Sequence, residues 1–219
     1  MNSPTLTIDV VSDVVCPWCY IGKRKLEAAL ALPEAYDLPN VVIRWHPFQL
    51  NPELPTQGVP RQQYLEEKFG GPERAAEIYQ RVRDAGNAVG LALNLEGITQ
   101  QPNTLAAHAL IAFAQLGDAD GSDIKERLLR AYFVENRFLG SLDVLANIAE
   151  EAGLNGEDAR AFITDPEHLE VVAQADERIR KMGITGVPFF IFNQRLTVSG
   201  AQDPTILLGA MKQAAVAKA

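Results

Sequence analysis

The residues in this chain best suited to chemistry are its two cysteines, set as Cys16-Pro17-Trp18-Cys19. On a helix this spacing places the second sulfur about one turn behind the first. At a helix N-terminus the unpaired N–H groups and the helix dipole favour a thiolate over a thiol, and the thiolate is the attacking species. The chemistry expected is disulfide exchange, with Cys16 exposed at the helix tip as nucleophile and Cys19, further in, resolving the mixed disulfide. Pro17 suits a first helical turn, where its missing N–H costs little, and Trp18 is expected to project outward as part of an apolar substrate surface. Two other readings exist for the pair. It could be half of a zinc site, but four ligands are the norm and His46, His108 and His168 show no paired ligand spacing, so no metal is expected. It could also be two incidental core thiols. A second signal lies far away, where Val187-Pro188 leads into an apolar run. An X-Pro bond entering a strand is a candidate cis peptide; the plainer alternative is a proline that merely starts the strand.

The surrounding pattern predicts what positions these residues. Leu6-Thr7-Ile8-Asp9-Val10-Val11 alternates and is β-branched, a strand ending just before the cysteines. A helix is expected from Pro17 to about Leu32, with Ile21, Leu26, Ala29 and Leu30 making its apolar contacts. Val41-Val42-Ile43-Arg44-Trp45 reads as a second strand, ended by Pro47, and the β-α-β order argues for parallel pairing. The pattern then turns helical. Ile124, Leu128, Leu129, Tyr132 and Phe133 share one face, as do Leu142, Leu145, Ile148 and Ala152. Helix starts are signalled by Asn103, by Ser141 with Asp143, and by Asp165-Pro166-Glu167, and stops by Gly153 and Gly183. Strands return at Phe189-Phe190-Ile191-Phe192 and, after a turn at Asn193-Gln194, at residues 195–198. Asp203-Pro204 caps a last helix to about Val216. The fold class expected is α/β. Residues 1–60 and 184–219 form one discontinuous domain, and residues 61–183, too long for a loop, form a helical insertion.

Composition narrows the function. The chain has 219 residues, 47% hydrophobic and 22% charged, so it can bury a core without a disulfide or metal staple. Against 28 Asp+Glu stand 20 Lys+Arg, a formal charge of −8 that does not steer it toward nucleic acid or an anionic membrane surface. Residues 1–7 are short and polar, unlike an export signal, and the apolar runs fall short of the roughly 18 residues of a membrane span. A cytoplasmic location is expected, where a closely spaced cysteine pair is catalytic or metal-binding rather than a structural disulfide.

These features together resemble the DsbA-like branch of the thioredoxin superfamily and, within it, FrnE-type oxidoreductases. The resemblance rests on Ser12-Asp13 before Cys16-Pro17-Trp18-Cys19-Tyr20-Ile21-Gly22, on Pro47-Phe48-Gln49-Leu50-Asn51-Pro52, and on Pro102-Asn103-Thr104 with Ala107-His108. Ala131-Tyr132-Phe133, Gly186-Val187-Pro188 and Gly200-Ala201-Gln202 complete it. It implies a thioredoxin fold with a large inserted all-helical subdomain over the active site. It further implies a protein disulfide oxidoreductase that works through its redox-active dithiol with no other cofactor, on protein or small-molecule disulfides and thiols. Val187-Pro188 is then a cis bond beside Cys16 whose backbone pairs with an extended substrate segment. Asn103, Thr104 and His108 line the cleft from the insertion, with His108 serving either a redox role or a structural hydrogen bond. In DsbA itself a buried acid on the first strand manages protons. The matching position here is Val10, with Asp9 facing the other way, so the proton acceptor for Cys19 stays open.

Two other functions compete. Kappa-class glutathione transferases and 2-hydroxychromene-2-carboxylate isomerases share the insertion but typically carry serine where Cys16 stands; that reading makes glutathione a possible cofactor. The third is a chaperone-like binding protein that presents an apolar cleft and uses the cysteines only incidentally.

Overall fold

The structure is a computed structural model that describes residues 5–116 and 120–216; residues 1–4, the start of the segment read above for an export signal, lie outside them. Strand β1 (Thr5–Ser12) runs directly into the cysteine loop, and alternation along it decides what each face of the sheet buries. Leu6, Ile8 and Val10 join Leu26, Leu207 and Met211 in the main core. Val11 points the other way, into a smaller cluster with Phe48, Ile179 and Ile184.

Helix α1 (Pro17–Leu30) returns the chain so that β2 (Asn40–Pro47) lies parallel to β1, Val10 opposite Trp45 and Val11 opposite His46. After the insertion, β5 (Phe189–Phe192) pairs antiparallel with β1, and β6 (Leu196–Ser199) pairs antiparallel with β5. The sheet order is β2-β1-β5-β6. β6 starts one residue later than expected. Asn193 and Gln194 both take left-handed backbone, φ 49° and 56°, and the Arg195 N–H closes the turn onto the Phe192 carbonyl. Helix α9 (Pro204–Val216) closes the chain against α1.

The insertion holds α2 (Arg61–Phe69), α3 (Pro72–Asn87), α4 (Leu105–Ala114), α5 (Ser122–Phe133), α6 (Leu142–Glu151), α7 (Gly156–Thr164) and α8 (Pro166–Lys181). Ser141 and Asp165 cap α6 and α8 through their side chains, and Gly153 and Gly183 take left-handed backbone just past those helices. Asn103 sits one residue before the actual cap of α4, Thr104; its side chain accepts the Leu105 N–H instead. The expectation of an all-helical insertion is corrected by a two-residue ladder that pairs β3 (Val59–Pro60), just before this stretch, with β4 (Gln100–Gln101) inside it, too short to leave an alternating pattern. α5 buries the predicted Ile124, Leu128, Leu129, Tyr132 and Phe133, and with them Lys125. It packs against α1, so the insertion meets the helix that carries the cysteines.

Candidate active site

The α1 N-terminus differs from the capped starts of α6, α7 and α8. Cys16 is the capping residue, in extended backbone, with no side-chain cap bond and no acidic residue in the first turn. Its carbonyl takes the N–H of Cys19 at 3.0 Å, and Pro17 fills the position where a donor is dispensable. The positive end of the helix is therefore left to the Cys16 sulfur. The Cys19 thiol hydrogen-bonds to that sulfur, and the backbone N–H groups of Cys19 and Trp18 add to it. Together they hold the Cys16 thiol below its ordinary range despite burial and the nearby Asp13 charge.

Cys19 behaves in the opposite sense. Burial first, then its bond to Cys16 and the charge there, push its thiol well up, against the pull of Lys125 and of the Asp13 N–H. Both thiols are free. The expectation of an exposed Cys16 is corrected: it is only 5% exposed, and Cys19 2%. Pro17 is half-buried, and the Val187 carbonyl lies beside the sulfur. Trp18 does project outward, 39% exposed.

Val187-Pro188 is a cis peptide, and the Cys16 thiol lies 3.7 Å from the Val187 carbonyl it donates to. Gly22 explains how α1 comes so near: a Cβ there would meet the Pro188 ring at 2.8 Å.

Behind the sulfurs lies a buried polar group that spacing alone did not reveal. Asp13 is fully buried and accepts the N–H groups of Val14 and Leu50, each at 2.7 Å, and its Oδ1 lies 3.2 Å from His108 Nε2. Burial pushes the Asp13 carboxyl up. The His108 bond and charge, the Leu50 N–H and Lys125 outweigh it, so the group stays below its ordinary value. Lys125 is 0% exposed and, among the described residues, its Nζ has no hydrogen-bond partner. The signal was present in Ser12-Asp13 and in the place of Lys125 on an otherwise apolar face.

Asp9, by contrast, faces away and pairs with half-exposed His46 at 2.8 Å. Thr104 is buried at the start of α4. Asn103 ties loops together, donating to the Leu54 carbonyl at 2.7 Å and accepting from Gln49 at 3.2 Å. It also lines a cavity of about 490 Å³ with Thr56, Leu105, Leu142 and Leu169. Of the three insertion residues expected at the cleft, His108 is thus joined to the cysteine loop directly, through Asp13. Among the described residues no group of three or more His, Cys, Asp or Glu side chains is placed to hold a metal. None of the described helices is long and apolar enough to cross a membrane.

A β2-β1-β5-β6 sheet, a Cys-x-x-Cys opening the helix after β1, a cis-proline across from it and a helical insertion define a thioredoxin fold of the DsbA-like kind. The chain belongs to the DSBA-like thioredoxin domain family, whose model matches residues 7–212. It is 27% identical over 198 residues to YwbO of Bacillus subtilis, described as uncharacterized, covering 90% of this chain and 92% of that one. A crystal structure of a probable DsbA oxidoreductase from Streptomyces coelicolor superposes with a TM-score of 0.86 at 28% identity, covering 98% of this chain and 92% of that one. A 2-hydroxychromene-2-carboxylate isomerase gives a TM-score of 0.68 at 13% identity, with 94% and 95% covered. That likeness is one of fold alone, so chemistry has to be argued from the side chains.

Proposed function

We propose that this chain is a thiol–disulfide oxidoreductase of the FrnE type, with Cys16 as nucleophile and Cys19 as resolving thiol. The observation that carries the reading is the uncapped α1 N-terminus, where the Cys16 sulfur receives backbone N–H groups while Cys19 sits buried behind it. The description of the Streptomyces relative as a probable DsbA oxidoreductase supports it. In the reducing direction the Cys16 thiolate attacks one sulfur of a substrate disulfide and forms a mixed disulfide. The other substrate sulfur leaves and takes a proton from solvent. Cys19 then loses its proton and attacks Cys16, the Cys16–Cys19 bond forms, and the second substrate sulfur leaves as thiolate. One disulfide is consumed and one is made, so the reverse sequence oxidises a dithiol substrate. Trp18 and the Val187 backbone are the surfaces against which an extended partner would lie, and a protein or small-molecule disulfide in the cytoplasm is the substrate class. No cofactor beyond the dithiol is needed.

The test is disulfide turnover with insulin or oxidised glutathione. Cys16→Ser should lower the rate by at least about a thousandfold, and Cys19→Ser should trap a mixed disulfide on Cys16. Turnover by Cys16→Ser at the parent rate would remove the proposal. Tight glutathione binding without any disulfide turnover would point to the isomerase or transferase reading instead. Holdase activity that persists when both cysteines are replaced, again without turnover, would point to the chaperone-like one.

A further inference from the structure

A resolving thiol that burial holds in its protonated form needs somewhere to send its proton. The first strand supplies no acid for this, since Val10 is apolar and Asp9 is turned away toward His46. What the fold brings to Cys19 instead comes from the cysteine loop and the insertion. The Asp13 N–H points at the Cys19 sulfur, and the Asp13 carboxylate holds His108. Beside them Lys125 of α5 is fully buried, its Nζ without a hydrogen-bond partner among the described residues. A cavity of about 100 Å³ has both Lys125 and His108 in its wall, together with Trp45, His46 and the α8 residues Val172 and Ala175. Its wall is largely apolar, with the Lys125 amine and the His108 and His46 rings as the polar groups a water could meet. His46, half-exposed, and Val171, exposed on α8, mark its outer side.

We propose that Lys125 is the proton acceptor for Cys19, beside the Asp13–His108 pair, and that the cavity next to it exchanges that proton with solvent. The inference rests on the disulfide-exchange reading above. In the resolving step the neutral Lys125 amine, which no hydrogen bond among the described residues holds in place, swings onto the Cys19 thiol and takes its proton. The Cys19 sulfur bonds to Cys16, the Cys16–substrate S–S bond breaks, and the substrate leaves as thiolate. The Lys125 ammonium then releases the proton through the cavity. When the enzyme runs as an oxidant the same steps reverse. Because the cavity opens toward β2 and α8, proton exchange does not compete with a substrate lying over Trp18 and Val187.

The groups facing Lys125 fit this role. From α1 come Cys16, Cys19 and Lys23, and from the cysteine loop Asp13. His108 and His46 share the cavity, and the Trp45 ring centroid lies 5.6 Å from Nζ. Burial pulls the ammonium down to about 8, against the opposing charges of Cys19, Asp13 and Cys16, so an appreciable fraction is neutral amine near neutral pH.

Rapid mixing with the chromogenic aryl disulfide DTNB separates the two chemical steps, since Cys16 attack and Cys19 resolution each release one coloured thiolate. Lys125→Met should keep the first burst and slow the second at least about tenfold at neutral pH. Lys125→Ala should do the same, and propylamine entering the enlarged cavity should restore the second burst only. In the unaltered protein the second burst should speed up from about pH 6 to 10 and slow in D₂O. A second burst in Lys125→Met with the parent rate and pH profile overturns the proposal. Equal slowing of both bursts does so too, because it marks a structural effect. Should both variants fail to fold, a second burst in the unaltered protein that is indifferent to pH and to D₂O overturns it as well. No second burst at all from the unaltered protein removes the exchange reading itself.

Discussion

Lys23 and Lys125 are both buried, 5% and 0% exposed, yet they meet opposite surroundings. Lys23, on α1, reaches Glu126 of α5 at 2.9 Å and also pairs with Glu27. Tyr20 donates to Glu126 at 2.7 Å, and Arg24 joins the same carboxylate. This network lies across the α1–α5 contact and keeps its charges paired. Lys125, the residue before Glu126, turns to the other side of α5 and finds an aromatic ring and a cavity but, among the described residues, no acceptor. α1 thus carries a cation that holds the insertion to the core, and α5 carries one free to trade a proton. Pairing, not burial, separates the two roles.

The largest expected effect sets the two lysines against each other. Lys23→Met removes the cation from a buried pair and should cost about 2–3 kcal/mol, reduced from a fully buried case because Glu27 and Glu126 are partly exposed. Lys125→Met should move stability the other way at neutral pH. In the folded protein this lysine sits at about 8 against an ordinary 10.5. Between those two values the unfolded chain holds the proton and the folded chain does not, so stability rises with pH across that window. Below about pH 8 both hold it and the penalty is at its full size, on the order of 3 kcal/mol. Denaturant unfolding from pH 7 to 10, in a Cys16→Ser/Cys19→Ser background that removes thiol titration, measures both variants. Lys125→Met should be the more stable at pH 7 and should lose the rise. A loss in Lys125→Met as large as in Lys23→Met would collapse the distinction.

Asp13 comes next, as the fixed anion on the chemical side. Asp13→Asn leaves one fewer acceptor for the N–H groups of Val14 and Leu50 and for His108, at an expected cost of about 2 kcal/mol. Its folded value lies below the ordinary carboxylate value, so its contribution is present above the ordinary value and is lost as pH falls through the lower, folded one. Acid unfolding of Asp13→Asn should therefore be less steep below about pH 4 than in the parent. Matching acid limbs would mean that the carboxylate is not held as described.

What the sequence disclosed follows the same division. β1, α1, β2, β5 and α9 were legible because alternation, Pro17, Pro47 and Asp203-Pro204 are local signals. So was the cysteine pair, whose spacing is itself the signal. The β3–β4 ladder was not, because two residues carry no period. The burial of Cys16 was missed because Val187 approaches it from a distant part of the chain. Asp13 and Lys125 were missed as a functional group for a related reason. Each is an unremarkable charge in its own segment, and only the packing of α5 against α1 and of α4 beside the cysteine loop brings them together.

The smallest expected effect tests whether the two networks are insulated from each other. Glu126→Gln keeps an acceptor for Tyr20 but gives up the charge that faces Lys23 and Arg24. Lys23 retains Glu27, and Glu126 is partly exposed, so the cost should be about 1 kcal/mol in thermal or denaturant unfolding. Glu126 is also the immediate neighbour of Lys125 in sequence, which makes it a severe probe. If Lys125 answers to its cavity and to the sulfurs, the Cys16 thiolate titration followed by ultraviolet absorbance should stay where it is in the parent. The second burst with DTNB should likewise keep its rate. A displaced thiolate titration would mean that the charge network of α1 reaches the sulfurs through the helix. The two lysines would then be parts of one electrostatic unit, not a clamp and a proton carrier on opposite sides of α5.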